Sequence, residues 1–432
     1  MSDTATTRKL WTYEFVSLLL VIGATLGNVC VFYSFYHYLG EIGIPVAWRG
    51  FLVGLEPMAA FVLRLFVISR LHVRNAYNVA MVSLFLLIAA SCSYLWVTSV
   101  PAMIVLRIFH GAVFVLLTSA AVALVVNFIP GERSGQGFSA ISIATMVPYA
   151  VVPSLAELTL PYVRSEADIY AAVSVFSVLA IIILISIRGR IAAAVSGMDQ
   201  VLMRRPTKNE IRENLRIRPV VVLLTALLLI YMSHATLFYF VKDLSLQNRT
   251  GDVGLFFTIS MAMMITVRAL GGALLDRVDK LPFLQKALLA LIPILILLAG
   301  NTSPAGFYIL AALYGLSIGV IMPLLNALLF MASPPPLRGL NTNLSMFCMD
   351  VAYFVVPYLG GILIALGAGF GILFYLCVGY AVISLILVTN LLPRGSREWR
   401  PGNGAAEPAH HSQFDRKDDF WLVQGEFFKM QR

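Results

Sequence analysis

Three ionisable side chains lie deep inside long apolar stretches of this sequence. Glu56 lies in the second such stretch, and Arg107 and His110 lie three residues apart in the fourth. Because an ionisable group is costly to place in hydrocarbon, each of these residues indicates either a function or a compensating partner. A carboxyl group at position 56 can carry a proton or can be a hydrogen-bonded structural group. Arg107 can pair with backbone carbonyls or with a carboxylate such as Glu56, and we expect His110 to line a cavity.

Further polar and aromatic side chains lie in three other apolar stretches. Glu157 lies near the end of the fifth stretch, where water can reach it, and we expect it to contact a substrate or a proton. His37 and His234 lie in the first and seventh stretches, beside several tyrosines. These aromatic residues belong either to the core and the membrane interfaces or to the wall of a binding site for an amphipathic molecule. The candidate substrate-contacting residues are Tyr33, His37, His110, Glu157, His234 and Tyr239.

The sulfur-containing residues do not have the spacing of a metal site. The chain has sixteen Met and four Cys residues, and thioethers favour copper(I). However, the cysteines form no CxxC pair, and Met is a common filler of apolar cores. Neither His-Glu-x-x-His nor Gly-x4-Gly-Lys-Ser/Thr occurs in the sequence. We therefore expect no metal centre, no ATP site and no cofactor.

The composition indicates a membrane protein. Apolar residues make up 59% of the 432 residues and charged residues 12%, and the mean hydropathy is +0.86. A soluble protein has about twice this share of charged residues, so a large soluble enzyme and a disordered chain are both excluded. A membrane-spanning helix needs roughly 20 apolar residues. We predict an all-α membrane protein with twelve transmembrane helices, at approximately 13–38, 46–70, 75–97, 101–128, 137–160, 167–188, 218–242, 251–275, 281–300, 303–331, 341–366 and 369–393.

The distribution of basic residues predicts the orientation of the chain. Of the 31 basic residues, 24 lie in the termini and in the connections on the same side of the membrane, and four lie on the opposite side. Because basic residues concentrate in cytoplasmic segments, we expect both termini in the cytoplasm. The net charge of +9 then reflects topology and not a nucleic-acid partner. We expect a monomer in the plasma membrane, namely a bacterial inner membrane.

Two polar segments divide the chain into four predicted parts. These are a first six-helix bundle at 1–188, a cytoplasmic linker at 189–217, a second bundle at 218–393 and a cytoplasmic tail at 394–432. Within the linker, Thr207 and Glu210 have the spacing of a capping box. This spacing predicts a short amphipathic helix, whose basic face would contact membrane lipids.

The two predicted bundles resemble each other at an offset of 204 residues. The segment 149–153 matches 353–357, the segment 106–111 matches 310–315, and Arg64 matches Arg268. Three matches in the same order indicate a duplicated six-helix unit. Parallel repeats of this kind occur in transporters, with the substrate site near the midplane between the repeats.

One connection carries a motif. Residues 272–280 read Gly-Ala-Leu-Leu-Asp-Arg-Val-Asp-Lys, which is similar to the Gly-x-Leu-x-Asp-Arg-x-Gly-Arg/Lys loop of the major facilitator superfamily. Gly272, Asp276 and Arg277 match that motif, and Asp279 replaces its second glycine. The segment 107–111 is similar to the Arg-x-x-x-Gly element of the family's fourth span, and Glu132–Arg133 to the pair that follows it. Over about residues 10–393, the chain resembles this superfamily.

The resemblance implies two pseudo-symmetric six-helix bundles that work by alternating access. It implies that the first, fourth and seventh spans line a central cavity. In this setting Arg107 would help a proton to leave or would bind an anionic substrate. Gly272, Asp276 and Arg277 would belong to a gate at the cytoplasmic face.

The resemblance also implies that the second and eleventh spans pack against each other at the interface between the halves. Arg64 lies about 9 Å and Asp350 about 14 Å from the cytoplasmic ends of these spans. We therefore predict a charge pair that holds the cytoplasmic gate shut, unless Asp350 faces the cavity and binds a cation or proton alone. Arg268 repeats Arg64, whereas Met146 stands at the repeat position of Asp350.

These patterns together predict a secondary active transporter and not an enzyme. Without an ATP site, transport would draw on an ion gradient, and we expect protons to couple at Glu56, Arg107 and Asp350. The favoured function is proton-coupled efflux of a small amphipathic organic compound. The alternatives are proton-coupled uptake of a metabolite and a transporter-like sensor or assembly protein that does not transport.

Overall fold

Twelve helices, each long and apolar enough to cross a membrane, run through the part of the chain that this computed structural model describes. The structure describes residues 10–67, 73–130, 133–195, 212, 214, 216–334 and 337–391. The helices of the first half are α1 (Tyr13–Glu41, with a 3₁₀ turn at Val31–Ser34), α2 (Val46–Val67), α3 (Val73–Ser93), α4 (Val100–Val126), α5 (Ser134–Thr159) and α6 (Glu166–Ala172 and Ser174–Val195). The helices of the second half are α7 (Arg218–Asn248), α8 (Val253–Arg277), α9 (Lys280–Gly300), α10 (Pro304–Ala332), α11 (Arg338–Ala365) and α12 (Phe370–Leu391).

The predicted all-α class with twelve spans is confirmed, but several helix ends differ from the sequence prediction, most of all those of α6 and α7. Helix α7 continues to Asn248, beyond the predicted end at 242. Helix α6 begins at Glu166 and continues to Val195, beyond 188. The charged residues at these ends therefore lie on helices and not in connections.

Local signals explain where several helices begin. The hydroxyl of Thr12 accepts a hydrogen bond from the Phe15 amide at the start of α1. Ser165 and Asp168 form a reciprocal capping box at the start of α6. Such caps satisfy amide groups that the first turn of a helix leaves unpaired. A proline in the first turn of α4, α7 and α10 costs no hydrogen bond there.

The helices pack in two copies of one arrangement. In the first half, α1 packs against α4, α5 and α6, while α3 packs against α4 and α6 and α2 against α4. In the second half, α7, α8 and α9 repeat this arrangement against α10, α11 and α12. The pseudo-symmetry that the 204-residue repeat predicts is therefore present in the packing.

The two halves meet mainly through α2 against α11 and α5 against α8. At the first of these interfaces, a Cβ on Gly50 would lie 2.6 Å from the Gly361 Cα. The two backbones are thus in direct contact, as small residues permit between membrane helices. At the second interface, a Cβ on Gly254 would lie 2.5 Å from the Ser154 Cα.

We call the side on which α1 begins and α12 ends the terminal face, and the opposite side the distal face. Several sequence predictions lie outside the described residues, namely Glu132, the linker helix with Thr207 and Glu210, and the tail 394–432. The side chains of Gly272, Asp276 and Arg277 are likewise not described, although these residues lie on α8.

Candidate functional site

Arg107 is the centre of a buried polar cluster in the first half. Its side chain is 1% exposed and donates from α4 to the backbone carbonyls of Leu52 (3.1 Å) and Val53 (2.9 Å) on α2. The guanidinium also lies over the ring of Phe35, 4.5 Å from its centroid. Backbone and aromatic contacts of this kind compensate part of the cost of a buried cation. Arg107 is thus held largely by groups that carry no charge.

Glu56 lies within one helical turn of those two carbonyl groups. Its carboxylate oxygen Oε2 lies 3.5 Å from Nη2 of Arg107, which is long for a charged hydrogen bond. The residue is 6% exposed. A carboxyl group that is buried and only loosely paired can hold a proton in one conformation and pair with Arg107 in another.

Tyr94 connects the cluster to His110. The Tyr94 hydroxyl accepts a hydrogen bond from Arg107 (3.3 Å) and lies 3.1 Å from Nδ1 of His110. The other ring nitrogen of His110 is buried and has no hydrogen-bond partner among the described residues. The structure places His110 in the interior of the first half, whereas the sequence predicts a position on a cavity wall.

A second cluster joins the two halves at the distal face. The ammonium group of Lys242 on α7 lies 2.9 Å from Glu157 on α5 and 2.8 Å from Glu166 on α6. The Tyr33 hydroxyl donates to the same oxygen of Glu157, at 2.5 Å. Lys242 is 5% exposed, so this ion pair between the halves is largely shielded from water.

His37 forms another contact between the halves beside this cluster. Its Nδ1 lies 3.3 Å from Asp243 on α7, and its Nε2 lies 3.4 Å from Glu41. One possible ligand atom of each of His37, Glu41 and Glu166 lies within 4.8 Å of the others. However, the ammonium group of Lys242 already binds Glu166, and its charge opposes a metal ion there. We interpret these residues as members of ion pairs: His37 with Asp243 and Glu166 with Lys242 join the halves, and His37 with Glu41 lies within α1.

On the terminal side, two arginines cross between the halves. Nε of Arg64 on α2 lies 3.0 Å from Asp350 on α11. These atoms are not aligned as a hydrogen bond, so the contact is an ion pair. At the repeat position, Arg268 on α8 donates to the hydroxyl of Ser142 on α5. The two arginines are therefore equivalent in position but differ in the charge of their partners.

Aromatic side chains from both halves meet between the charged contacts of the distal face and those of the terminal side. The Tyr149 ring lies 5.7 Å from Phe238, which lies 5.9 Å from Tyr353. Tyr239 and His234 lie 5.8 and 6.5 Å from that same Tyr353. Tyr149, His234 and Tyr353 are partly exposed. This aromatic group on α5, α7 and α11 could contact an apolar or aromatic solute.

The structure divides the candidate residues from the sequence into four groups. Glu56, Arg107 and His110 lie together, as do Tyr33, His37 and Glu157 at the distal face. His234 and Tyr239 lie in the aromatic group, while Arg64, Asp350 and Arg268 lie on the terminal side.

The residues of these sites that were not predicted from the sequence include Tyr94, Glu166, Lys242 and Asp243. The adjacent charges of Lys242 and Asp243, directly after an apolar stretch, were a visible signal. The predicted end of α7 at 242 placed them at the edge of a connection. Tyr94 carries no comparable signal.

Comparison with known proteins agrees with this architecture. The family model of the Major Facilitator Superfamily matches residues 15–355 and, in a second alignment, residues 251–424. Among solved structures, the chain is similar to the human organic anion transporter MFSD10 (TETRAN), with a TM-score of 0.58 and 17% sequence identity. That alignment covers 87% of this chain and 98% of the other. No curated protein sequence matches.

These findings indicate an integral membrane protein that transports small molecules and is not an enzyme. The family match spans both halves of the chain, and the helices pack as two six-helix repeats. The chain belongs to the Major Facilitator Superfamily.

Proposed function

We propose that this protein is a proton-coupled secondary transporter that exports a small amphipathic organic solute. In this proposal Glu56 carries the proton and Arg107 helps it to leave. The terminal face is cytoplasmic, and the protein works as a monomer in the plasma membrane, in contact with its lipids. The orientation in this proposal follows from the distribution of basic residues, 24 of which lie on the side of the termini.

The observation that carries the proposal is the loose pairing of Glu56 with Arg107. Since Arg107 is held by two backbone carbonyls and an aromatic ring, it does not need Glu56 to be charged. A small movement of α2 against α4 would either close the 3.5 Å contact and favour the carboxylate, or lengthen it and favour the protonated acid.

The second half lacks this chemistry, which supports a specialised role for the cluster. At the repeat positions of Glu56 and Arg107 stand Ser260 and Ala311. The helices nevertheless pack alike, because a Cβ on Gly315 would meet the Ser260 carbonyl as one on Gly111 would meet that of Glu56. The charges are therefore not required by the packing.

The test compares the wild type with Glu56→Gln in proteoliposomes whose interior contains a fluorescent pH indicator. The probe is monodansylcadaverine, a fluorescent amphipathic dye with a primary ammonium group, and we expect the wild type to couple the movement of this dye to the movement of protons. Glu56→Gln should lose transport driven by a pH gradient and keep exchange of dye for dye, since Gln has a similar shape and does not titrate.

A matched control removes a carboxylate outside the cluster. Glu14 pairs with Arg190 at 2.7 Å within the first half, and Glu14→Gln should leave proton-driven transport at the wild-type level. Full proton dependence in Glu56→Gln would refute the coupling role of this residue.

A further inference from the structure

The first half builds a pair of carboxylates at the distal face from its own residues. Glu166 accepts hydrogen bonds from Ser34 (2.6 Å) and Tyr170 (2.8 Å), both to its Oε2. Glu157 accepts the bond from Tyr33. All five residues lie on α1, α5 and α6. Because these hydroxyls fix both carboxylates, the pair would keep its geometry when the halves separate.

The second half contributes the cation. The Lys242 ammonium group binds one oxygen of each carboxylate, and it also lies 5.6 Å from the centroid of the Tyr33 ring. An ammonium group has three donors, and two of them are used by this pair. The carboxylates thus face one point that an ammonium nitrogen occupies.

Opening of the distal face would separate this cation from its site. Lys242 would move away with α7, while Glu157 and Glu166 would stay with the first half. Two carboxylates around one point repel each other when no cation lies between them. The open site would therefore attract a cation from the medium on the distal side.

The geometry selects the kind of cation. The nitrogen-to-oxygen distances of 2.8 and 2.9 Å are those of charged N–H···O hydrogen bonds. Zinc and calcium bind carboxylate oxygens at about 2.0–2.6 Å, so either of these two ions would require both glutamates to move. A quaternary ammonium has no N–H group and cannot make these bonds.

We propose that Glu157 and Glu166 form a binding site for the primary ammonium group of an organic solute, open to the distal face through which an exported solute leaves, and that Lys242 fills this site when that face is closed. The identification of this amine as cargo rests on the proposed transport function, whereas its binding does not. Lys242 and the solute compete for one site, so the solute binds the open conformation.

The test measures the opening of the distal face directly. Tyr162 and Leu366 are 89% and 79% exposed on this face, one in each half. Spin labels on Tyr162→Cys and Leu366→Cys, with the four native cysteines replaced by alanine, report the distance between the halves in detergent. The probe is n-butylammonium, and n-butyltrimethylammonium has the same charge and alkyl chain but no N–H donor.

In the wild type, n-butylammonium should raise the open population at least about threefold, since a ligand shifts a two-state equilibrium toward the state that it binds more tightly. The quaternary analogue should have no effect. In Lys242→Ala the distances should lengthen without ligand, and n-butylammonium should restore the short distance by replacing the missing ammonium group. The opposite responses of the two proteins distinguish a shared site from binding elsewhere.

The control variant Lys242→Met with Glu157→Gln and Glu166→Gln has no charges at the site and should not respond to either amine. Three results would each overturn the proposal: equal effects of the two amines on the wild type, a response of this control as large as that of the wild type, or no response in the wild type. The wild-type arm decides it even if Lys242→Ala does not fold. Glu56→Gln should still respond to n-butylammonium, so failure of proton coupling and failure of this site give different results.

Discussion

At the scale of single residues, one hydroxyl group links Arg107 to His110. The Tyr94 oxygen accepts from Arg107 and contacts Nδ1 of His110. In Tyr94→Phe, both partners would lose a hydrogen bond inside the first half. Because a buried polar group left without a partner costs about 1–3 kcal/mol, we expect a lower free energy of unfolding and a lower Tm. Thermal unfolding in detergent measures this change.

The matched control is Tyr13→Phe. The Tyr13 hydroxyl contacts Ser186 at 3.4 Å at an exposed site, where water can replace the lost bond. We expect no change in Tm from this substitution. Equal Tm values for the two variants would show that the hydroxyl of Tyr94 does not stabilise the cluster.

Residue types that are rare in hydrocarbon were visible in the sequence, which offered backbone carbonyls and Glu56 as alternative partners of Arg107 but did not decide between them. Glu56 and Arg107 differ in position by 51 residues, and apolar periodicity does not say which faces of α2 and α4 meet. The structure adds the two backbone carbonyls that hold Arg107. A backbone acceptor leaves no trace in the residue type, so the sequence could not say which carbonyl groups hold Arg107.

At the scale of helices, apolar length predicts that a span exists better than it predicts where the span ends. Helix α7 continues past Lys242 because this residue has buried partners in the other half. Hydropathy counts Lys242 as a polar residue, whereas in the structure its charge is compensated by Glu157 and Glu166. The end of α7 at Asn248 is set instead by Arg249, whose left-handed conformation (φ 54°) ends the helix.

Close contact between α2 and α11 gives a prediction at this scale. In Gly50→Ala, the new methyl group would approach the Gly361 backbone of the other half and force the two helices apart. Overpacking of this kind costs about 1–3 kcal/mol. We expect a lower Tm and a lower yield of folded protein in size-exclusion chromatography.

Gly379 on α12 is the matched control, because a Cβ there would have no neighbour within 4 Å. Gly379→Ala should keep or slightly raise the Tm, since alanine favours a helix over glycine by roughly 0.5–1 kcal/mol. If Gly50→Ala were as stable as Gly379→Ala, the interface between the halves would be looser than the structure indicates.

At the scale of the whole molecule, charged contacts hold the two halves together on both sides of the aromatic group. Lys242 and His37 bind across the distal face, and Arg64 binds Asp350 on the terminal side. Alternating access requires one set to break while the other persists. In such a mechanism, the relative strength of the two sets would determine which face opens first.

The contact on the terminal side gives the last prediction. Removal of either partner breaks the same ion pair and leaves the other charge largely buried, so Arg64→Ala and Asp350→Ala should each shift the protein toward opening at the terminal face. Spin labels on Gln136→Cys and Asn390→Cys, both at exposed positions and one in each half, report this opening. The double variant should show no further shift, because residues that act through one shared contact have non-additive effects. Arg190→Ala removes a similar ion pair, but that pair lies within the first half and should leave the distance unchanged. Additive shifts in the double variant would mean that Arg64 and Asp350 act separately, with Asp350 then free to bind a proton or a cation of its own.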